Sequence, residues 1–236
     1  IYLDHRDWGR CASNVSLKPR HVEYVVTHLR RRSGLRLDWD NPSIKADLIT
    51  NRFHVRISVD SSPLTVDGYA LDVRRLRKKP FTIADLVRNE TLSSEAAAYI
   101  LFCLTRRRNI TILGETGSGK TTLLNALDLC APRFWRKIYV EDVVESIPQL
   151  RRGRHQLRLF VEPFEATNPK RRKSVEIIKL LHRNPDYVIL SELQTEEHSK
   201  AFFFALAAGI RGIQTIHADS VDRLIRLSLI HISEPT

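Results

Sequence analysis

Asn109-Ile110-Thr111-Ile112-Leu113-Gly114-Glu115-Thr116-Gly117-Ser118-Gly119-Lys120-Thr121-Thr122 carries the strongest structural signal in this chain. Its apolar, β-branched start predicts a short strand. The glycines break that strand, and Thr121 to Leu129 then carries apolar residues at helical spacing. Between strand and helix lies the pattern G-x-x-x-x-G-K-[ST]. It needs glycine because the backbone must wrap around phosphate oxygens and turn its N–H groups toward them at a helix N-terminus. Gly114, Gly117 and Gly119 supply that freedom, and Glu115, Thr116 and Ser118 complete the loop. Lys120 is expected to reach the β- and γ-phosphates and the Thr121 hydroxyl to hold Mg²⁺, with Thr122 beside it in the first helical turn. The pattern predicts phosphate binding but names no reaction, since kinases, GTPases, ATP synthases and motors share it. No NKxD-like guanine-reading segment follows.

A helix is predicted before the loop, from Ser94 to Thr105, with Ser93 or Ser94 as its cap. After the loop, apolar strands are predicted at Lys137 to Val140, Tyr187 to Leu190 and Ile213 to Ile216, separated by helical stretches at Val175 to His182 and His198 to Ala208. Strands alternating with helices imply an α/β fold whose mainly parallel sheet is covered on both faces. Such sheets gather their chemistry at the carboxyl ends of the strands. There, Ile138-Tyr139-Val140 runs into Glu141-Asp142-Val143-Val144-Glu145, and Tyr187 to Leu190 runs into Ser191-Glu192. Glu141, Glu145 and Glu192 are thus candidates to hold Mg²⁺ through water or to take a proton from an attacking water. The third strand ends at His217, which in this company is a candidate to sense or contact the γ-phosphate.

The first half has a different texture. His21 to Arg31 has helical apolar spacing at Val22, Val25, Val26 and Leu29, and Phe53, Val55, Ile57 and Val59 alternate at period two. Another strand is expected at Tyr69 to Arg74, after the turn Asp67-Gly68. A small α+β domain over residues 1–80 follows, joined near Lys78-Lys79-Pro80-Phe81 to the larger domain over 81–236.

The 236 residues, 42% hydrophobic and 28% charged, exclude a disordered or collagen-like chain. No apolar run approaches the ~20 residues needed to cross a bilayer, so the chain reads as cytoplasmic. Cys11, Cys103 and Cys130 form no CxxC pair, which argues against zinc and against a disulfide framework, and predicts reduced, partly buried thiols. The net charge of +11 is concentrated in Arg30 to Arg32, Arg74 to Lys79, Arg106 to Arg108, Arg151 to Arg154 and Lys170 to Lys173. Nucleic acid, acidic lipid heads and nucleotide phosphates all suit that charge, and each cluster by itself reads first as a solvated face or subunit contact.

Taken together, these segments resemble the type II/type IV secretion ATPases, the motors of secretion systems, type IV pili and archaella, and most closely their archaeal branch. Glu115 to Thr122 matches the family's Walker A motif, Val140 to Glu145 resembles its aspartate box, Asn184 to Glu192 its Walker B segment, and Ile213 to Ser220 its histidine box. The resemblance covers nearly the whole chain. It implies a smaller N-terminal domain on a RecA-like ATPase domain, Mg-ATP as substrate, a homohexamer, and work with a membrane platform protein at the inner face of the cell membrane. It also implies that Glu141 or Glu145 helps activate water, that Glu192 assists at the magnesium, and that Arg56 and Arg74 are similar in placement to arginines that reach the nucleotide. Departures are Ser191 where the family commonly has Gly, Gln194 where it has Arg, and Leu181-His182-Arg183-Asn184-Pro185-Asp186 where members often read Leu-Arg-x-Arg-Pro-Asp. They leave open a nucleotide-binding subunit with weak hydrolysis, or compensation by Arg183. A nucleic-acid-binding RecA-like ATPase is the rival that the basic clusters suggest. From its start at Ile1 the chain is expected to be a piece of a longer protein, and Ser228 to Thr236 resembles translated technical sequence.

Overall fold

The computed structural model describes residues 1–5, 8–50, 52–77, 79–142, 155–161, 172–218 and 222, and the chain divides into two compact units, Ile1–Lys78 and Lys79–Thr236. In the first unit, strands β1 (Tyr2–His5) and β2 (Gly9–Ala12) pair as an antiparallel hairpin. Helix α1 (Pro19–Ser33) begins with proline in its first turn, where the missing N–H has no intrahelical acceptor to lose. It stops at Gly34, whose φ of 69° is a left-handed cap that lets its N–H donate to the Arg30 carbonyl. Strands β3 (Ser43–Ile49), β4 (His54–Asp60) and β5 (Ala70–Leu76) form an antiparallel sheet in that order. Val22, Val26 and Leu29 of α1 pack on Leu37, Ile44, Ile57 and Val59. Val25, placed on the apolar face from its spacing, is instead exposed, because the packed stripe runs through Val22, Val26 and Leu29. β3 was not foreseen, although Ile44, Ala46 and Leu48 alternate with polar residues.

The second unit opens with α2 (Ile83–Arg88), fixed by a capping box. The Thr82 hydroxyl accepts from the Asp85 N–H, and the Asp85 carboxylate accepts from the Thr82 N–H. Then follow α3 (Ser94–Thr105), whose cap is Ser93, β6 (Ile110–Gly114), α4 (Lys120–Cys130), β7 (Lys137–Glu141), β8 (Gln156–Phe160) and α5 (Lys173–Lys179). A 3₁₀ turn (Leu180–His182) leads to β9 (Tyr187–Leu193), α6 (Glu196–Ala207) and β10 (Gly212–His217). The sheet is parallel throughout, in the order β6-β10-β9-β7-β8.

Side chains on successive strand residues face opposite sides, and both sides here are apolar. Ile138, Val140, Val188 and Leu190 pack with Ile177 and Leu180 from the α5 region and Phe202 and Ala205 from α6. Tyr139, Tyr187, Ile189 and Ile213 pack with Leu86, Leu104, Leu124 and Leu127 from α2, α3 and α4. Each such fully buried side chain is worth roughly 1.5–3 kcal/mol of transfer free energy, so the central strands anchor the carboxyl-end loops.

Candidate functional site

The register of the sheet sets the site. His217 at the end of β10 lies opposite Gly114 at the end of β6, so the histidine stands beside the start of the glycine loop. At Gly114 an added Cβ would lie 2.5 Å from Ser118 Oγ and 3.3 Å from Ser118 Cβ, so a side chain there would require Ser118 to shift. Gly117 and Gly119 hold φ values of 81° and 92° in the left-handed region that glycine tolerates best. Glu115, Thr116 and Ser118 are exposed, and the Ser118 N–H donates to the Glu115 carbonyl at 3.2 Å. Gly119, which has no side chain, caps α4 without a side-chain hydrogen bond to the first turn of the helix.

Lys120 is buried at 9% exposure, and its Nζ donates to the carbonyls of Gly114 at 2.9 Å and Glu115 at 2.7 Å. The same Nζ is 3.3 Å from Nδ1 of His217, whose Nε2 is paired with Oε1 of Glu192. An ammonium has only donors to offer, so Nδ1 accepts and Nε2 carries the proton toward the carboxylate. Lys120, His217 and Glu192 thus form a chain across the ends of β6, β10 and β9. Glu192 is aimed by an irregularity. β9 and β10 pair at Leu190–Gln214 and resume at Leu193–Ile216, so β9 bulges by a residue at Ser191-Glu192. The second carboxylate oxygen of Glu192 accepts from the Gln194 amide at 3.0 Å.

Thr121 and Thr122 sit half-buried in the first turn of α4. Glu141 ends β7 and is buried at 4% exposure, its carbonyl accepting from the Val161 N–H. Glu145 lies outside the described residues, as do Asp219 and the tail from Ser228 to Thr236. Arg56 and Arg74 are register partners on β4 and β5 of the first unit. Arg56 is buried with its Nε 3.7 Å from Asp47, which also bonds His54 Nε2 at 3.2 Å, whereas Arg74 is exposed. Arg183 bonds Glu176 at 2.5 Å and donates to its carbonyl at 3.4 Å, so its guanidinium is engaged on α5. Cys11 and Cys103 are half-buried. Cys130 at the C-terminus of α4 is exposed rather than partly covered as expected.

Reading Lys170 to Lys173 as a solvated cluster is wrong at Lys173, which is fully buried because acidic and polar partners from other strands surround it. Its Nζ lies 3.4 Å from Asp142 Oδ1 and 3.5 Å from Ser191 Oγ, and donates to the Glu192 carbonyl. The Ser191 hydroxyl donates to Asp142 at 3.0 Å. His198, buried at 4% exposure on α6, completes this group electrostatically. Burial pushes its pKa down to about 4, assisted by the Lys173 charge and opposed by Asp142 and Glu197. The unfolded chain takes up a proton near pH 6.5 while the folded chain refuses it until about pH 4, so this contribution is complete above pH 6.5 and is lost as the pH falls through that window. Urea midpoints measured from pH 7.5 to pH 4.5 are expected to fall more steeply for the parent than for His198→Asn.

The residues present suit a magnesium nucleotide: a glycine loop crowded against Ser118 at Gly114, a helix start with no side-chain cap bond, a cation, two hydroxyls and a carboxylate. A family model described as type II/IV secretion system protein matches residues 38–234. The chain belongs to that family. PtlH, a type IV secretion system protein of Bordetella pertussis, is 35% identical to this secretion-family chain, with 99% of the chain and 74% of PtlH aligned. The uncharacterized protein MJ0781 of Methanocaldococcus jannaschii is 27% identical over 84% of the chain and 28% of its own length. The chain spans between 28% and 52% of the length of the three M. jannaschii relatives it matches. Among solved structures, the ATPase DotB of Legionella pneumophila superposes with a TM-score of 0.62 at 17% identity, over 94% of this chain and 60% of DotB. The pilus retraction motor PilT, solved with ADP, superposes equally, with a TM-score of 0.62 at 17% identity over 94% of this chain and 60% of PilT. These likenesses bear on fold alone: a RecA-like P-loop α/β unit preceded by a smaller α+β unit.

Proposed function

We propose that this secretion-family chain is the ATP-hydrolysing part of a motor for a type II/type IV secretion, pilus or archaellum assembly system. The supporting observation is the contact chain Lys120–His217–Glu192 beside the glycine loop, at the carboxyl ends of three neighbouring strands. Bound there, Mg-ATP supplies the phosphoanhydride bond and a cation that neutralises its oxygens. Gly114 to Thr122 would hold the phosphates, Lys120 the β- and γ-oxygens, and Thr121 and Glu192 the magnesium, partly through water. His217, neutral with its proton on Nε2, keeps Glu192 oriented and leaves Nδ1 as the acceptor nearest the loop cation. Glu192, with Glu141 and Glu145 as further candidates, would orient the attacking water and accept its proton.

The proposed working form is a homohexamer on the inner face of the membrane with a platform protein, in which Arg56 and Arg74 serve the nucleotide. Relatives named as secretion proteins and motors support this reading. Phosphate release by the full-length protein tests it. Glu192→Gln is expected to lower turnover about 10²–10³-fold, the range for losing a positioned charge or donor, while ATP affinity stays within a few-fold. Turnover that requires Mg²⁺ and ignores DNA supports the motor. DNA-stimulated turnover favours the nucleic-acid ATPase, and tight binding without turnover favours a structural subunit.

A further inference from the structure

We infer that Lys173 is a positioning residue for Glu192, holding the β9 bulge from inside the fold. The inference rests on the proposed ATP hydrolysis. Lys173 sits at the first position of α5 and is fully buried, yet it is an ammonium. Such a charge persists in the interior only where partners replace its hydration. Its partners come from the ends of two strands. Asp142, immediately after β7, provides the opposite charge at 3.4 Å, and the Glu192 carbonyl on β9 accepts a hydrogen bond. The Ser191 hydroxyl lies 3.5 Å from Nζ and donates to Asp142, so the residue that departs from the family's glycine is part of the same group. The Thr215 hydroxyl on β10 donates to the Ser191 carbonyl.

The bulge therefore has both of its carbonyls occupied by side-chain donors, from β10 at Ser191 and from Lys173 at Glu192. A bulge turns its residues away from the regular strand direction, and here it points the Glu192 carboxylate at His217. Without the Lys173 bond, the Glu192 carbonyl loses this anchor, and a shift of the peptide within the bulge carries the carboxylate with it. Lys173 touches neither nucleotide nor water in this scheme. Its effect is on the angle and distance at which Glu192 meets the reacting groups, where a 1 Å displacement costs on the order of 10²-fold in rate.

The test uses the full-length protein with paired substitutions, because removing Lys173 alone strands Asp142. Lys173→Met with Asp142→Asn removes the charges together, a replacement that buried ion pairs often tolerate. Lys173→Gln with Asp142→Asn keeps a neutral donor at the same place. Folding is followed by circular dichroism, ATP affinity by a fluorescent analogue, and kcat by phosphate release. The Met/Asn form is expected to fold, to bind ATP within about 3-fold of the parent, and to lose about 10²-fold in kcat, with the Gln/Asn form recovering about 10-fold of that loss. Met/Asn turnover at the parent rate overturns the inference, as does a kcat equally low in both variants. Failure of both to fold also overturns it, since Lys173 would then serve the fold at large. A parent protein that binds ATP with no release of phosphate instead refutes the hydrolytic reading on which the inference stands.

Discussion

Lys137→Met is expected to destabilise the protein by about 3–5 kcal/mol, a large share of the roughly 5–15 kcal/mol that holds a typical domain together. Lys137 starts β7 with no exposed surface, and its ammonium pairs with the equally buried Asp128 of α4. The other oxygen of Asp128 accepts from the Tyr139 hydroxyl at 2.8 Å, which in turn accepts from the Gln156 amide of β8 at 3.2 Å. This network ties the helix behind the glycine loop to the two strands at the far side of the sheet. Removing the lysine leaves a carboxylate in the interior with a single neutral donor from this network, and the cost is that of an uncompensated charge rather than that of a lost contact. Urea unfolding of the full chain checks this. Adding Asp128→Asn is expected to restore most of the stability, because the orphaned charge disappears with it. If the single substitution moved the midpoint as little as a surface change does, the network would be energetically idle.

Lys120→Ala is expected to reduce phosphate release about 10²–10³-fold, with weakened ATP binding. The side chain is already held against the loop by the Gly114 and Glu115 carbonyls and against His217, so its ammonium is fixed where phosphate oxygens would arrive. Lys120→Arg is expected to fare little better, since a planar guanidinium does not fit a pocket shaped for a compact ammonium. Lys120 contacts the two loop carbonyls and His217 at the end of β10 and takes no part in the Lys137–Asp128 network, so the melting temperature is expected to shift less than in Lys137→Met. Unchanged turnover in Lys120→Ala would remove the hydrolytic role of the loop.

Much of this was legible in the chain because the signals are local. The glycine loop is recognisable since every conformational demand within it falls on contiguous residues, Gly114 to Thr121. The central strands are recognisable because a parallel strand buried on both faces must be apolar without interruption, as Tyr187 to Leu190 is. α2 was missed although Thr82-x-x-Asp85 is a readable capping box, and β8 was missed although Leu157 and Leu159 alternate with polar neighbours.

Other features depend on partners far along the chain. Lys173 ends a run of basic residues, and nothing in that run says that Asp142 and the Glu192 carbonyl will meet it in the interior. Arg183, a candidate to replace a missing arginine, is paired with Glu176 of α5, a contact that its own neighbours in sequence do not announce. Local patterns of residue type are enough to specify a phosphate loop at the end of a strand, on a parallel α/β scaffold, with carboxylates and a histidine following later strands. Which of these touch is set by how the strands pair. The β9 bulge and the pairing of His217 with Gly114 bring Lys120, His217 and Glu192 into one chain, because strand register is a property of neighbouring strands and is written in neither strand alone.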